Sequence, residues 1–191
     1  MKLLEDKIKS EGKVLPGNIL RVGSFINHMI DPILMDKMGE EFFERYKNAG
    51  ITKILTVEAS GIAIAYAAAR YFGCPLVFAK KNQTSNITAD VYSCPVESFT
   101  HGKTYNVMVS KEYLLPTDTV LVVDDFLAIG NALIGLFSIV KQAGAKLAGA
   151  GIVIEKGYQH GGDKLREKGY RIESLAIIDS MDENTGIVFR H

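Results

Sequence analysis

The sequence contains no tryptophan, only two cysteines, and no long apolar run. Cys74 and Cys94 form no CxxC pair and have no histidine pattern near them, so neither a zinc site nor a disulfide framework is predicted. No uncharged apolar segment approaches the length of a membrane span, and the first residues lack the apolar core of a signal peptide. We therefore expect a cytoplasmic protein that does not associate with membranes.

An excess of charge of one sign is also missing, because 22 basic and 22 acidic side chains give a formal net charge of zero. Non-specific binding to nucleic acid needs a basic surface, so no nucleic-acid partner is predicted. An anionic ligand would require a local positive field instead. The length of 191 residues suits a single domain, residues 1–191, with its own hydrophobic core.

From residue 52 onward, apolar segments of strand length alternate with segments of helical period. Strands separated by helices indicate an α/β fold, with a central, mostly parallel sheet flanked by helices. Ser60 is a suitable N-cap for one of these helices. The predicted strands cover 52–59, 75–80, 118–125, the end of 144–155 and 171–178, and the predicted helices cover 2–11, 33–49, 60–72 and 130–142.

Two segments depart from this alternation. Residues 80–117 have no helical period and pass from a polar run into an alternating one, which predicts a protruding loop that carries a hairpin. Long irregular segments of this kind are usually lids or binding loops. Residues 12–32 are interrupted by glycine and proline, which predicts a loop with short extended pieces.

The stretch VLVVDDFLAIGNALIG, residues 120–135, combines the features of an anion site. A buried strand ends at Asp124 and Asp125, and a turn of small residues leads into a helix that begins near Gly130. Ligands of α/β sheets bind outside the carboxyl ends of the strands, and the free N–H groups of a helix start attract phosphate. Small side chains let the anion reach the backbone, while two adjacent carboxylates suit sugar hydroxyls or Mg²⁺.

A strand that ends in two solvated aspartates, with a glycine easing the turn, would produce the same local pattern. The sequence contains neither GxxxxGK[ST] nor GxGxxG, so a P-loop or a dinucleotide site does not explain the turn. The residues by themselves leave both interpretations open.

The segment VLVVDDFLAIGNAL resembles the phosphoribosyl pyrophosphate (PRPP) signature of the type I phosphoribosyltransferases. That family commonly carries hydroxyl residues on both sides of the glycine, where this chain has Ile129 and Ala132. The AIGNA form is similar to that of the bacterial xanthine phosphoribosyltransferases, as are LPGNILRVGSFINHMIDP, VEASGIAIA, FAKKNQ and IEKGYQ. The resemblance implies the type I fold, with a flexible loop at about 80–117 and a small hood from about 12–32 plus the C-terminal segment.

The resemblance also implies which residues bind PRPP. Asp124 and Asp125 would contact the ribose hydroxyls. At the root of the 80–117 segment, Lys80 and Lys81 could neutralise the pyrophosphate. A Mg²⁺ ion is possible near the two aspartates, although the sequence identifies no certain metal ligand. Two solvated loop lysines are the alternative for Lys80 and Lys81. The implied PRPP-binding residues are Ala128, Ile129, Gly130, Asn131 and Ala132 for the 5′-phosphate, and Glu58, Ala59, Ser60 and Gly61 for the pyrophosphate.

The base-binding residues implied by the resemblance are Leu20, Asn27 and Lys156. The lysine can donate a hydrogen bond to a 6-oxo group, and the Asn27 amide can recognise the 2-oxo group that separates xanthine from hypoxanthine. A turn-forming asparagine before a helix is the alternative for Asn27.

The expected activity is transfer of the 5-phosphoribosyl group from PRPP to N9 of xanthine, giving XMP and pyrophosphate in purine salvage. A homodimer is also expected from the resemblance. Guanine or hypoxanthine transfer would differ only in the hood contacts. A PRPP-sensing regulator of purine genes is a further alternative, but about fifteen residues before the hood are too few for its DNA-binding module.

Overall fold

The computed structural model describes residues 1–81, 90–97 and 104–191. The N-terminal part contains α1 (Lys2–Glu11), β1 (Lys13–Leu15), β2 (Ile19–Arg21), a π-helical turn at Gly23–Asn27 and α2 (Pro32–Tyr46). The middle part contains β3 (Lys53–Val57), α3 (Gly61–Phe72), β4 (Leu76–Ala79), β5 (Val91–Glu97) and β6 (Thr104–Ser110). The C-terminal part contains β7 (Thr119–Leu127), α4 (Asn131–Gln142), β8 (Lys146–Lys156), α5 (Gly161–Glu167), β9 (Ile172–Asp182) and β10 (Gly186–Phe189).

The central sheet has six strands in the order β10-β9-β8-β7-β3-β4. All neighbouring pairs are parallel except β10, which runs antiparallel to β9 at the edge. This confirms the predicted α/β architecture with a mostly parallel sheet. The order puts the carboxyl ends of β3 and β7 side by side, which is where ligands of such sheets bind.

Both faces of the sheet are covered, which explains why its strands are continuous apolar runs. Leu121 and Val123 of β7 face one core cluster, to which α1, α2 and α3 contribute. Val120 and Val122 face the other, which contains α4 and the β5–β6 hairpin. The alternation follows from the period of two along a strand.

The β5–β6 hairpin confirms the hairpin predicted within residues 80–117. Its strands pair antiparallel from Val91 opposite Ser110 to Glu97 opposite Thr104. It forms a separate two-stranded ribbon beside the central sheet. Residues 82–89 and 98–103 of the predicted flexible loop lie outside the described residues.

Several predicted boundaries are wrong. The strand predicted to end at the two aspartates continues to Leu127, because β7 keeps pairing with β8 as far as Leu127 opposite Glu155. The predicted 33–49 helix ends at Tyr46, and the last predicted strand extends to Asp182 to pair with β10. Helix α5 and strand β10 were not predicted, since α5 has only seven residues and β10 only four.

Candidate active site

The turn between β7 and α4 has the geometry of an anion site. Gly130 occupies the left-handed region with φ 95°, a conformation that side chains with a Cβ rarely adopt. Within the described residues no side chain caps the start of α4, so its first N–H groups stay available to a ligand. The positive end of the helix dipole adds to their attraction for phosphate.

This turn forms one wall of a cleft of about 330 Å³ at the carboxyl ends of β3 and β7. The opposite wall is the turn between β3 and α3, where the Glu58–Ala59 peptide bond is cis. Apart from Lys80, the cleft contains every residue predicted for PRPP binding and for catalysis, namely Glu58, Ala59, Ser60, Gly61, Lys81, Asp124, Asp125, Ala128, Ile129, Gly130, Asn131 and Ala132.

The two aspartates lie at the floor of this cleft, inside β7 rather than at its end. Asp124 is only 5% exposed, and its Oδ1 accepts a hydrogen bond of 3.0 Å from the backbone N–H of Asp125. Burial and the neighbouring carboxylate raise the pKa of Asp124 well above its usual value, while the charge of Lys81 opposes this shift. Burial also raises the pKa of Asp125.

The β3–α3 turn packs directly on this acidic floor. A Cβ at Gly61 would lie 2.1 Å from Thr56 Oγ1 and 3.0 Å from Asp124 Oδ1, so only glycine fits there. Thr56 is fully buried, and its hydroxyl has no hydrogen-bond partner among the described residues. Sequence reasoning missed Thr56, although a threonine within the apolar strand TKILTV was a visible signal.

Ser60 does not cap α3 through its side chain within the described part of the chain, so the predicted capping role is wrong. Its backbone has helical φ and ψ rather than the extended values typical of an N-cap residue. Ser60 instead lines both the cleft and the neighbouring hood cavity.

Of the two lysines after β4, Lys81 lines the cleft. Its Nζ lies 5.4 Å from the ring centroid of Tyr105, and its backbone N–H donates to Glu58 Oε1 at 2.7 Å. Lys80 pairs through its backbone with Met108 and lines a different cavity, so the structure does not bring it to the pyrophosphate site that was predicted for both lysines. Tyr105 and Glu97 of the hairpin also line the cleft, and sequence reasoning missed both.

The hood is built from β1, β2 and the π-helical turn, and it borders a cavity of about 810 Å³. Leu20 and Asn27 line this cavity together with Ser60. The Asn27 amide lies near Asp125, where it favours the ionised carboxylate against the burial that raises the pKa of Asp125. The two cavities therefore meet at Ser60, Asn27 and Asp125.

Lys156 lies at the end of β8 and reaches the hood from the opposite side. Its Nζ donates a long hydrogen bond of 3.4 Å to the backbone oxygen of Asn18, as does the hydroxyl of Tyr158. Lys156 is not among the residues that line the hood cavity. Burial lowers the pKa of its ammonium group.

Comparison with known proteins identifies the class to which this fold and cleft belong. The family described as the phosphoribosyl transferase domain matches residues 29–185. The chain therefore belongs to the phosphoribosyltransferase family, and its fold is the type I fold of that family.

Two curated relatives have names that state a particular activity within this family. A xanthine phosphoribosyltransferase from Lachnoclostridium phytofermentans is 53% identical over 191 residues, which cover 100% of this chain and 98% of that protein. A xanthine phosphoribosyltransferase from Finegoldia magna is 53% identical over 187 residues, covering 98% of each chain.

Solved structures support the fold. The APRTase from Giardia lamblia, complexed with 9-deazaadenine, has a TM-score of 0.74 at 24% identity and covers 91% of this chain and 96% of its own. Adenine phosphoribosyl transferase from Trypanosoma brucei, in complex with AMP, pyrophosphate and ribose-5-phosphate, has a TM-score of 0.75 at 19% identity. This match covers 91% of the present chain and 78% of the Trypanosoma chain. None of the helices that the structure describes is long and apolar enough to cross a membrane.

Proposed function

We propose that this protein transfers the 5-phosphoribosyl group of PRPP to N9 of xanthine, giving XMP and pyrophosphate in purine salvage. One observation carries the PRPP half of this proposal. A single cleft joins a helix start with no side-chain cap among the described residues, the buried Asp124, the half-buried Asp125 and a lysine, which are the groups that a phosphorylated sugar with a pyrophosphate requires. Xanthine as the base is supported by full-length relatives that carry this activity in their names.

In the proposed complex, the 5′-phosphate binds the backbone N–H groups of residues 128–132. Asp124 and Asp125 accept hydrogen bonds from the ribose hydroxyls on the cleft floor. The pyrophosphate binds at residues 58–61, where Lys81 supplies the positive charge.

The reaction breaks the C1–O bond to pyrophosphate and forms the C1–N9 bond to the base, which releases its N9 proton to water. The transition state resembles an oxocarbenium ion, as at other anomeric centres. Ionised Asp124 and Asp125 would stabilise this positive charge, and Lys81 would stabilise the leaving pyrophosphate. The charge of Lys81 also favours the ionised form of Asp124, against the burial that raises its pKa.

We also propose that Mg²⁺ enters this site together with PRPP. The described residues contain no group of three or more potential ligands that could hold a metal by themselves. Mg²⁺, however, is typically bound by one or two carboxylates and the phosphates of a substrate, and the adjacent Asp124 and Asp125 fit that arrangement. When bound, the ion would neutralise charge on the pyrophosphate.

The base would bind between the hood and the end of β8. Asn27 offers an amide to the 2-oxo group, Lys156 offers an ammonium to the 6-oxo group, and Leu20 provides an apolar contact. Among the described residues, Lys156 has only a long hydrogen bond to Asn18 to replace, so a base can recruit it. A site with polar groups of this kind rejects bases that leave them unpaired.

The deciding experiment measures kcat/KM with PRPP and each of xanthine, guanine, hypoxanthine and adenine. We expect the highest value with xanthine. A higher value with guanine or hypoxanthine would change the assigned base. Tight PRPP binding without turnover of any base would overturn the enzyme assignment and favour the non-catalytic regulator.

A homodimer in the cytoplasm is part of the same proposal. Met29, Ile33 and Tyr66 are 62%, 75% and 61% exposed, unusually high for such apolar side chains. Ile30 and Ala63 line a small cavity with Ser60, so this surface adjoins the cleft. Sedimentation should show a dimer that Ile33→Glu dissociates, and a monomeric wild type at micromolar concentration would contradict it.

The free thiols of both cysteines agree with a reducing compartment.

A further inference from the structure

Helix α5 packs against the outer side of the phosphate turn, residues 128–130, without any side chain between the two backbones. A Cβ at Gly161 would lie 2.1 Å from the backbone oxygen of Ala128 and 2.7 Å from the carbonyl carbon of Ile129. One turn further along α5, the buried Leu165 contacts Gly130, where a Cβ would lie 3.2 Å from Leu165 Cδ1. Any movement of α5 is therefore transmitted to the phosphate turn.

Arg166 holds α5 against the sheet, together with Asp163 of the same helix, which accepts a hydrogen bond from Arg190 at 3.0 Å. The Nη1 of Arg166 donates to Glu155 Oε1 at 2.9 Å and its Nη2 donates to Glu155 Oε2 at 2.6 Å, a parallel two-point contact. Its Nε donates to the backbone oxygen of Ile172 at 3.2 Å. Glu155 is fully buried, and its carboxylate also accepts a hydrogen bond from Ser174 Oγ. Arg166 thus ties α5 to β8 and β9.

The contribution of this ion pair to the stability of the fold is a weak explanation for its presence. A buried ion pair often contributes no more to stability than apolar side chains of similar volume, whereas its geometry is specific. A seven-residue helix is not stable by itself in water, so the place of α5 depends on its tertiary contacts.

The Glu155–Arg166 pair also supports only one half of the active site, namely the half that contains the phosphate turn. Glu155 and Lys156 are consecutive in β8, and consecutive strand residues point to opposite faces. Glu155 reaches α5 and hence the phosphate turn, whereas Lys156 reaches Asn18 in the hood. A change in the pair should therefore affect PRPP and leave the base contacts in place.

We propose that Glu155 and Arg166 are positioning residues for the 5′-phosphate of PRPP, acting through α5 on the phosphate turn. This inference rests on the proposed function, which assigns the phosphate turn to that phosphate.

The test compares Arg166→Met and Glu155→Gln with the wild type. We expect the KM for PRPP to rise about tenfold, the effect typical of losing a contact that orients a ligand-binding group. Ribose 5-phosphate, measured by calorimetry, should bind more weakly by the same factor, with little change in the KM for xanthine at saturating PRPP. Arg166→Lys keeps the charge and one hydrogen bond, so it should restore part of the affinity.

A matched control is Arg45→Met. Arg45 is also a half-buried arginine, 26% exposed against 31% for Arg166. It likewise contacts a carboxylate, of Glu41, and a backbone oxygen of β9, that of Ser174. Among the described residues its hydrogen bonds and ion pairs go to Glu41, Ser174 and Glu173 and not to α5, so Arg45→Met should lower the melting temperature and leave the KM for PRPP unchanged.

Gly161→Ala tests directly whether movement of α5 reaches the phosphate turn, because the new methyl group would collide with the backbone oxygen of Ala128. We expect weaker binding of ribose 5-phosphate in this variant as well. If Arg166→Met and Gly161→Ala lower only the melting temperature, with PRPP and ribose 5-phosphate affinities unchanged, the inference is wrong. A wild type that does not bind ribose 5-phosphate would instead overturn the assignment of the phosphate turn, and with it the PRPP half of the proposed function.

Discussion

The cleft proposed to bind PRPP and the hood cavity are neighbours that share Ser60, yet they are built differently. The cleft is the smaller, at about 330 Å³ against about 810 Å³, and two turns at the ends of adjacent sheet strands form it. The hood is a ribbon of two three-residue strands that pair only with each other among the described elements. A two-stranded ribbon is marginally stable alone, whereas the parallel sheet is anchored on both faces.

This difference in construction indicates that the two regions contribute to binding in different ways. Backbone groups and a buried acid dominate the cleft, so its binding properties depend on positions that the sheet fixes. Side chains dominate the hood, where Asn27 and Ile19 are exposed, so a single substitution can alter the choice of base with little effect on the fold. The predictions below test this contrast, beginning with the largest effect.

Asp124→Asn should cause the greatest loss, a fall in kcat/KM of about 100-fold or more, because a neutral amide cannot stabilise an oxocarbenium-like transition state. Steady-state kinetics with xanthine and PRPP measure this effect. The matched control is Asp118→Asn, immediately before the start of β7, where the carboxylate binds Lys53 at 3.0 Å. That control should lower stability and leave kcat/KM unchanged, and an equal loss of activity in both variants would contradict the assignment.

Asp124 and Asp118 should give opposite pH dependences of stability. Burial raises the pKa of Asp124 above its usual 3.8, so the ligand-free wild type loses stability as the pH rises through that raised pKa. Burial acts to raise the pKa of Asp118 too, but hydrogen bonds from Leu115 N–H and Lys53 hold it below 3.8, so its contribution is lost as the pH falls.

Calorimetric melting temperatures from pH 3 to pH 8 measure both effects. Relative to the wild type, Asp124→Asn should become more stable as the pH increases, and Asp118→Asn should become less destabilised as the pH decreases. Differences that do not vary with pH would show that neither carboxyl is shifted.

Lys81→Met should raise the KM for PRPP about 10- to 100-fold, because one charge-assisted contact with the pyrophosphate contributes roughly 1.5–3 kcal/mol. Initial rates at saturating xanthine measure this. Lys80→Met is the control, since Lys80 lines a different cavity and contacts β6 through its backbone. Comparable effects of both substitutions would indicate a general electrostatic attraction rather than a contact in the cleft.

Lys156→Ala should raise the KM for xanthine about tenfold and leave the KM for PRPP unchanged, since it removes one hydrogen-bond donor to the base. This is the complement of the Lys81 experiment, in the other half of the site. Lys146→Ala, at the exposed start of the same strand β8, provides the control. An unchanged KM for xanthine would remove Lys156 from the site.

Ser60→Ala should have the smallest effect, a rise of severalfold in the KM for PRPP with no loss of stability. The reason is that Ser60 lines the cleft and its side chain does not cap α3 in the part of the chain that the structure describes. Thermal unfolding and initial rates distinguish the two roles. A melting temperature lowered by the amount typical of a lost N-cap, about 1 kcal/mol in stability, would restore the capping role.

Much of the cleft could be predicted because its parts are contiguous in the sequence. The acids, the small turn and the start of α4 lie within residues 120–135, and the second turn directly follows an apolar strand. Parallel strands place the turns after them at one edge of the sheet, so local pattern was enough to bring these residues together. The hairpin at residues 91–110 followed from its alternation in the same way.

Other features depended on partners distant in the chain. The strand continues past the two aspartates because β8 supplies hydrogen bonds as far as Glu155. Thr56 under Gly61, Tyr105 beside Lys81, and Lys156 next to Asn18 join segments that no periodicity relates.

The sequence by itself determined the α/β fold and brought the acids and the two turns to one end of the sheet, since both follow from apolar period and from residues close together along the chain. The assignment of these groups to PRPP came from the family resemblance of VLVVDDFLAIGNAL. Only the tertiary structure decided how the phosphate turn is supported. The contact of Gly161 with Ala128 and the two-point contact between Arg166 and Glu155 exist because packing brings α5 against β8 and β9. Such contacts depend on distances between whole elements, which hydrophobic pattern does not specify.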